Sequence, residues 1–436
     1  MTHRATAPTT TGGNNIAAPD TQVLPATLGL LLAQFLGAFN DNFFKIVVSL
    51  FAVSASGASG GGALSAISAI FILPFLLFSG YAGHVADAYS KRAVLVVTKV
   101  LEILTMIVGL FALLSGQFWL MLTVLFLLAL EATFFSPAKY GILPELVAVR
   151  DLSHANGLLE MGSFLAIILG TSLGSILFAT WKDRLGWVGL ITIALATLGT
   201  LASLRVPAVP AARARQALQL SPFAEITLGL RRLRSDRTLW MTVISISYFW
   251  FLGALMQMNI LLFGKEVMGL DDLRVGLLSA FIALGIGTGS FAAGRLSGDK
   301  VELGLVPLGA IGMGVFSLIL AYSAASYVLV AATLAVLGFS GGLFIVPLNA
   351  SLQQKSGQEE RGRLLATNNF LNTIGILLAS GVLWLFRDYF QIYADTIALI
   401  FGVLTLIATV YLLHTLPDFL AHFCLWLRCN LRLVQL

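Results

Sequence analysis

The sequence predicts an all-α membrane protein: twelve transmembrane helices arranged as two related six-helix halves. Three observations carry that expectation: the apolar excess and its segmentation, the placement of the basic residues, and a repeat within the chain. Of 436 residues, 58% are hydrophobic and only 11% charged, and the mean hydropathy is +0.91. Soluble domains run near half apolar and a quarter charged. The excess falls into separate runs of about 20 residues, the length an α-helix needs to cross a hydrocarbon core of roughly 30 Å.

Taken in order between glycine, proline and charge punctuation, the runs predict helices over 27–53, 64–83, 93–115, 118–138, 155–180 and 187–206. After a break, six more are expected over 238–263, 274–296, 303–323, 327–348, 363–386 and 394–415. Residues 1–26 are rich in Thr, Ala, Gly and Asn, lack the basic and apolar regions of a cleaved signal peptide, and read as a disordered cytoplasmic leader. The stretch 207–237 holds Pro207, Pro210 and a basic segment, which predicts a linker carrying an amphipathic surface helix between halves of 27–206 and 238–416. In 417–436, Phe419, Phe423, Leu427 and Leu431 recur beside Arg428 and Arg432, so an interfacial helix and a frayed tail both fit. Cys424 and Cys429 match neither a redox pair nor a zinc site and read as free thiols.

A net charge of +5 would suit a nucleic-acid partner, but the Lys and Arg residues sit in the short gaps between apolar runs, so topology explains them better. With both termini cytoplasmic, eighteen of them fall on the inner side, among them Lys91, Arg92, Arg231, Arg232, Arg361 and Arg363. The other side holds only Lys182, Arg184, Lys265, Arg274 and Arg387. An odd number of spans would scramble that imbalance.

Offsets close to that from Gly83 to Gly294 align several local patterns. Phe35-Leu36-Gly37-Ala38 recurs as Phe251-Leu252-Gly253-Ala254, which sets Asp41 opposite Gln257; Pro137 and Lys139 match Pro347 and Asn349; Ala155-Asn156 with Glu160 resembles Ala366 and Asn368 with Asn372. Parallel repeats of six helices describe the major facilitator architecture, with a central cavity between the halves.

An ionised group in hydrocarbon costs about 2.5–3.5 kcal/mol on the insertion scale, so each one needs a reason. Asp41 and Lys45 share a face of helix one among Asn40 and Asn42, either as a self-neutralised pair or as a cavity wall. Glu131, Lys139 and Glu160 on helices four and five are further cavity candidates, although Lys139 could simply anchor at the interface by snorkelling. Lys99 and Glu102 read as a local ion pair on a peripheral helix. The second half offers amides instead, with Gln257, Asn349 and Asn372 as the candidate contacts. A cavity charged on one wall and amide-bearing or apolar on the other suits an amphiphile.

Gly83, Asp87, Lys91 and Arg92 form a hairpin signature in which glycine allows close helix approach and Asp87 can meet a helix N-terminus of the other half. Arg295 and Asp299 are the counterparts, expected to latch the same state from the second half.

Phe39-Asn40-Asp41-Asn42-Phe43-Phe44-Lys45, Ser136-Pro137-Ala138-Lys139-Tyr140-Gly141-Ile142-Leu143-Pro144-Glu145, Ala155-Asn156-Gly157-Leu158 and Val346-Pro347-Leu348-Asn349-Ala350 together resemble the bacterial lysophospholipid transporter family of major facilitators. The stretch Leu296-Ser297-Gly298-Asp299-Lys300-Val301-Glu302-Leu303-Gly304 looks more like the branch fused to an acyltransferase domain. The resemblance implies movement of lysophospholipids, chiefly lysophosphatidylethanolamine, across the bacterial inner membrane to the cytoplasmic leaflet, with re-acylation by a separately encoded acyltransferase. Asp41, Lys139 and Glu160 would hold the head group. The same residues leave two rivals open: a multidrug or small-solute exporter of this fold, and a non-transporting membrane scaffold for an acyltransferase. No nucleophile motif, metal cluster or phosphate loop survives the topology, so neither an enzyme nor a cofactor is expected.

Overall fold

The computed structural model describes residues 20–56, 60–181, 184–212 and 221–415, together with 421 and 423. Hydrocarbon offers the backbone no hydrogen bonds, so a spanning chain satisfies its own N–H and C=O groups in helices. The first set is α1 (Asp20–Ser56), α2 (Gly60–Ala88), α3 (Lys91–Ser115), α4 (Phe118–Leu146), α5 (Leu152–Thr180) and α6 (Leu185–Ser203). A short α7 (Pro222–Ser235) precedes α8 (Arg237–Leu262), α9 (Asp272–Leu296), α10 (Leu305–Ala321), α11 (Tyr327–Lys355), α12 (Arg361–Trp384) and α13 (Ala394–Thr415). Among the described residues eleven helices are long and apolar enough to span a membrane, and α10 is a shorter apolar helix that completes the second six.

The helices outrun several expected ends. α1 begins at Asp20 and carries Pro25 inside it, so 20–26 are helical rather than leader; residues 1–19 lie outside the described residues. α2 continues to Ala88, which turns the Gly83 to Asp87 stretch into the last turns of a helix instead of a loop. α4 runs past 138 to Leu146 with Pro137 and Pro144 inside it, as membrane helices allow when neighbours re-satisfy the freed carbonyls. The linker segment 213–220, Cys424, Cys429 and nearly all of 417–436 lie outside the described residues.

The same pairings recur in each half. α1 packs on α5, α2 on α4, and α3 on α4 and α6; correspondingly α8 packs on α12, α9 on α11, and α10 on α11 and α13. The halves meet along α2–α12 and α5–α9. At the end where α7 lies, the linker side, one apolar cluster runs through both halves, uniting Leu30, Ala86, Leu143 and Ala155 with Leu233, Leu352 and Leu364. At the opposite end each half has its own cluster, around Phe43, Met106 and Met121 in the first and around Phe263, Leu278 and Leu334 in the second. The bundles are therefore fused at the linker side and parted at the far side, which leaves a cavity between them.

Small residues set the tightest approaches, as expected where van der Waals packing drives helix association. In the α9–α11 contact a Cβ on Gly289 would stand 2.1 Å from the Phe339 carbonyl oxygen, whereas one on Gly276 would meet nothing within 4 Å. Overpacking of that kind costs about 1–3 kcal/mol. Gly289→Ala is expected to lower the thermal midpoint of the purified protein by several degrees, and Gly276→Ala to leave it in place.

Candidate functional site: the cavity between the halves

The cavity measures about 400 Å³ and takes its walls from α1 to α5 of the first half and α8, α11 and α12 of the second. α1 contributes Gln34, Asp41 and Asn42; α3 contributes Thr98, Lys99 and Glu102; α4 contributes Glu131, Ser136, Lys139 and Tyr140; α5 contributes Glu160 and Ser163. From the second half come Trp250 on α8, Asn349 on α11, and Asn368, Asn369, Asn372 and Thr373 on α12. Every charged side chain in this lining thus belongs to the first half, and the second presents amides and apolar groups.

The charges are individually anchored. Glu160 Oε1 accepts from Tyr140 Oη at 2.6 Å and from Asn349 Nδ2 of the other half at 3.3 Å. Lys99 Nζ meets Glu102 Oε2 at 2.5 Å, and Asn40 Nδ2 donates to Glu102 Oε1 at 3.0 Å. Thr105 Oγ1 donates to Glu131 Oε1. Asp41 and Lys139 are the exceptions, since among the described residues neither makes an ion pair. Lys139 is 6% exposed, and its Nζ lies 4.2 Å from the centre of the Tyr140 ring. A buried cation held by a ring face and facing a cavity is a place for an anionic group from outside the protein.

The structure brings Asp41, Glu131, Lys139, Glu160, Asn349 and Asn372 to one cavity. Asn372 Oδ1 also accepts from Ser247 Oγ at 3.0 Å. Two candidates stand elsewhere. Lys45 lies beside the lining, with its Nζ 4.6 Å from the ring centre of Phe71, which does line the cavity, and it makes no ion pair within 4 Å with Asp41. Gln257 is exposed on α8 and does not line the cavity, because its register in the repeat fixes its height on the helix but not the face it presents. Lys99 and Glu102 do form the expected ion pair, yet they face α1 and the cavity rather than the periphery. Their i, i+3 spacing revealed the pair, and nothing in it revealed the direction. Asn40, the amide immediately before Asp41, was the available signal.

The linker side is closed by polar contacts between the halves. Asp87 Oδ1 accepts from the backbone N–H of Gly362 at 2.7 Å and Oδ2 from that of Arg363 at 3.0 Å, which places a carboxylate on the N-terminus of α12. Gly83 makes room for this approach, since a Cβ there would lie 2.7 Å from Ala366 Cβ. Lys91 Nζ pairs with Glu145 Oε1 at 2.8 Å, with Arg361 3.6 Å away on the same oxygen. Arg92 is held locally by the Leu204 carbonyl at 2.9 Å. α7 adds a strap: Glu225 accepts from Arg363 Nε at 2.6 Å, and Arg232 reaches Glu360 at 2.8 Å. Along α5–α11, the buried amides of Asn156 and Gln353 exchange two hydrogen bonds of 2.9 and 2.8 Å. Opposite Asp87 the arrangement is not repeated. Asp299 is exposed in a turn after Gly298, whose positive φ of 57° swings the chain outward, and Arg295 lies over the Phe291 ring at 4.8 Å. Among the described residues Asp299 makes no hydrogen bond to the first half.

Truncating one member of the Asn156–Gln353 pair leaves a buried amide without its partner, at about 1–3 kcal/mol, while removing both leaves little to satisfy. In a thermal double-mutant cycle, Asn156→Ala with Gln353→Ala is therefore expected to cost clearly less than the sum of the single changes.

Comparison with known proteins agrees with this architecture. The family model described as Major Facilitator Superfamily matches residues 30–380. The lysophospholipid transporter LplT of Cronobacter sakazakii is 30% identical over 364 residues, covering 81% of this chain and 87% of that protein. The protein of the same name from Yersinia pestis is 27% identical over 363 residues, covering 81% and 85%. Among solved structures, the human organic anion transporter MFSD10 superposes with a TM-score of 0.75 at 14% identity, covering 89% of this chain and 99% of its own. The E. coli fucose:proton symporter FucP gives 0.71 at 15% identity, covering 91% and 99%. At these identities the two structures speak for the fold alone.

Proposed function

The chain belongs to the major facilitator superfamily and, within it, to the lysophospholipid transporter family, and from that premise we propose that it carries lysophospholipids, chiefly lysophosphatidylethanolamine, across the bacterial inner membrane. The observation that carries the reading is Lys139, a buried cation that among the described residues makes no direct ion pair, set among Asp41, Glu131 and Glu160 on one wall of a cavity whose other wall is neutral. A phosphate bound at Lys139 supplies the missing anion, and the ammonium of the same head group then finds a carboxylate across the cavity. The second-half wall, with Trp250 and the amides of α12, asks nothing ionic of the ligand.

The basic residues support a cytoplasmic linker side. The described conformation then opens to the periplasm, and transport runs by rocking the halves until the contacts of Asp87, Asn156 and Gln353 part. Delivery to the cytoplasmic leaflet places the lysolipid before a separately encoded acyltransferase.

Spheroplasts of a strain without its own lysolipid transporter provide the test. Expression of this chain is expected to restore uptake and re-acylation of labelled lysophosphatidylethanolamine. Uptake at the level of the empty vector, with lowered accumulation of cationic dyes, would replace the reading with drug export.

A further inference from the structure

A second cavity of about 580 Å³ lies on the outer face of the first half, where α2 and α3 both pack on α4 but diverge from each other. Its floor is apolar. Val97, Leu101 and Leu104 recur at helical spacing along α3 and are 56, 45 and 55% exposed, facing Leu127, Leu130 and Phe134 of α4. From Ala93 to Val108 the groove follows α3 for about 22 Å at 1.5 Å per residue. At its inner edge the chemistry changes, because Thr98 and Glu131 line both this groove and the central cavity. Glu131 Oε1 is bonded to Thr105, and its Oε2 is buried with no hydrogen-bond partner among the described residues.

We propose that this groove holds the acyl chain of the transported lipid, with the lipid's free glycerol hydroxyl donating to Glu131 Oε2 at the junction. The inference rests on the lysophospholipid reading above. An apolar channel that ends on a polar cavity fits a molecule with one chain and one head group, each in its own solvent. The carboxylate oxygen without a donor is costly as it stands, and the occupant is what satisfies it. A single-chain glycerophospholipid carries a hydroxyl where a diacyl lipid carries its second ester. The ester is an acceptor only and cannot supply a donor to that oxygen. One residue thereby helps to select both the chain number and the position of the glycerol.

The test uses the full chain in proteoliposomes. A lysophosphatidylethanolamine bearing a diazirine in mid-chain is expected to label Val97, Leu101 or Leu104, and unlabelled lysolipid is expected to displace it where diacyl phosphatidylethanolamine at the same mole fraction does not. Leu101→Trp, at an exposed position, fills the groove without disturbing the core. It is expected to slow uptake of a sixteen-carbon lysolipid at least tenfold and to leave an eight-carbon analogue within twofold. Labelling displaced equally by diacyl lipid shows ordinary bilayer contact and overturns the proposal, as does an equal effect of Leu101→Trp on both chain lengths or on neither. If the unsubstituted chain moves no lysolipid, the function proposed above falls and takes the groove's role with it; if it moves lysolipid but labels elsewhere, the groove alone falls.

Discussion

Lys139→Ala is expected to lower the initial rate of lysolipid uptake about ten- to a hundredfold without lowering the thermal stability of the protein. The rate estimate follows from losing a charge-assisted contact to the phosphate, worth about 1.5–3 kcal/mol, with each 1.4 kcal/mol a factor of ten. The stability expectation comes from the opposite side of the same geometry. Lys139 is buried, touches the Tyr140 ring, and among the described residues forms no ion pair, so the ring face offsets only part of its desolvation in the folded protein. A structural lysine would behave otherwise, losing stability and activity together. Lys139→Arg keeps the charge and is expected to recover part of the rate. Uptake assays and thermal melts on the same preparations separate the two cases.

Asp87→Ala is expected to release the linker-side closure. Two charge-assisted hydrogen bonds to the α12 N-terminus disappear, and so does the favourable position of a carboxylate at a helix N-terminus. At about 1.5–3 kcal/mol for such a bond, the balance between closed and open linker sides moves by at least tenfold. Ser153 reports on it. The residue is fully buried beside Gly294 in the α5–α9 contact, so Ser153→Cys, in a chain with Cys424 and Cys429 replaced by serine, is shielded while the gate is shut. Adding Asp87→Ala is expected to speed its modification by a membrane-impermeant maleimide from the linker side at least tenfold. Asp299→Ala, at an exposed carboxylate outside the closure, is expected to leave the rate unchanged.

The fold was legible because the membrane imposes it. Apolar runs of spanning length, a one-sided basic pattern and a repeat all speak about the solvent around the chain, and the twelve apolar helices and their matching pairings follow. Helix ends were less legible. Pro25, Pro137 and Pro144 read as stops, yet packed neighbours let the helices pass through them, and the stretch from Gly83 to Asp87 stays helical because α12 packs against it.

In the cavity, charge was the readable signal, since an intramembrane carboxylate or ammonium is costly anywhere else. That logic reached Asp41, Glu131, Lys139 and Glu160 together. It failed where direction decides. Lys45 shares a helix face with Asp41 by spacing but leans onto Phe71, Gln257 occupies the repeat position of Asp41 on another face, and Lys99 with Glu102 turns inward. Contacts made between distant segments were out of reach altogether, among them the Tyr140 bond to Glu160, the Asn156–Gln353 exchange and the strap from Glu225 to Arg363. Spacing along one helix says which residues can be neighbours, whereas these depend on how separate helices dock.

Reconstitution of the purified chain into sealed vesicles, with lysophosphatidylethanolamine movement between leaflets followed by back-extraction onto albumin, addresses the central claim most directly. Saturable movement well above protein-free vesicles, slowed at least tenfold by Lys139→Ala and competed by other lysolipids but not by diacyl lipid, is the expected result. Movement no faster than in empty vesicles, or movement indifferent to the charge at residue 139, would contradict a head-group site built on that wall of the cavity.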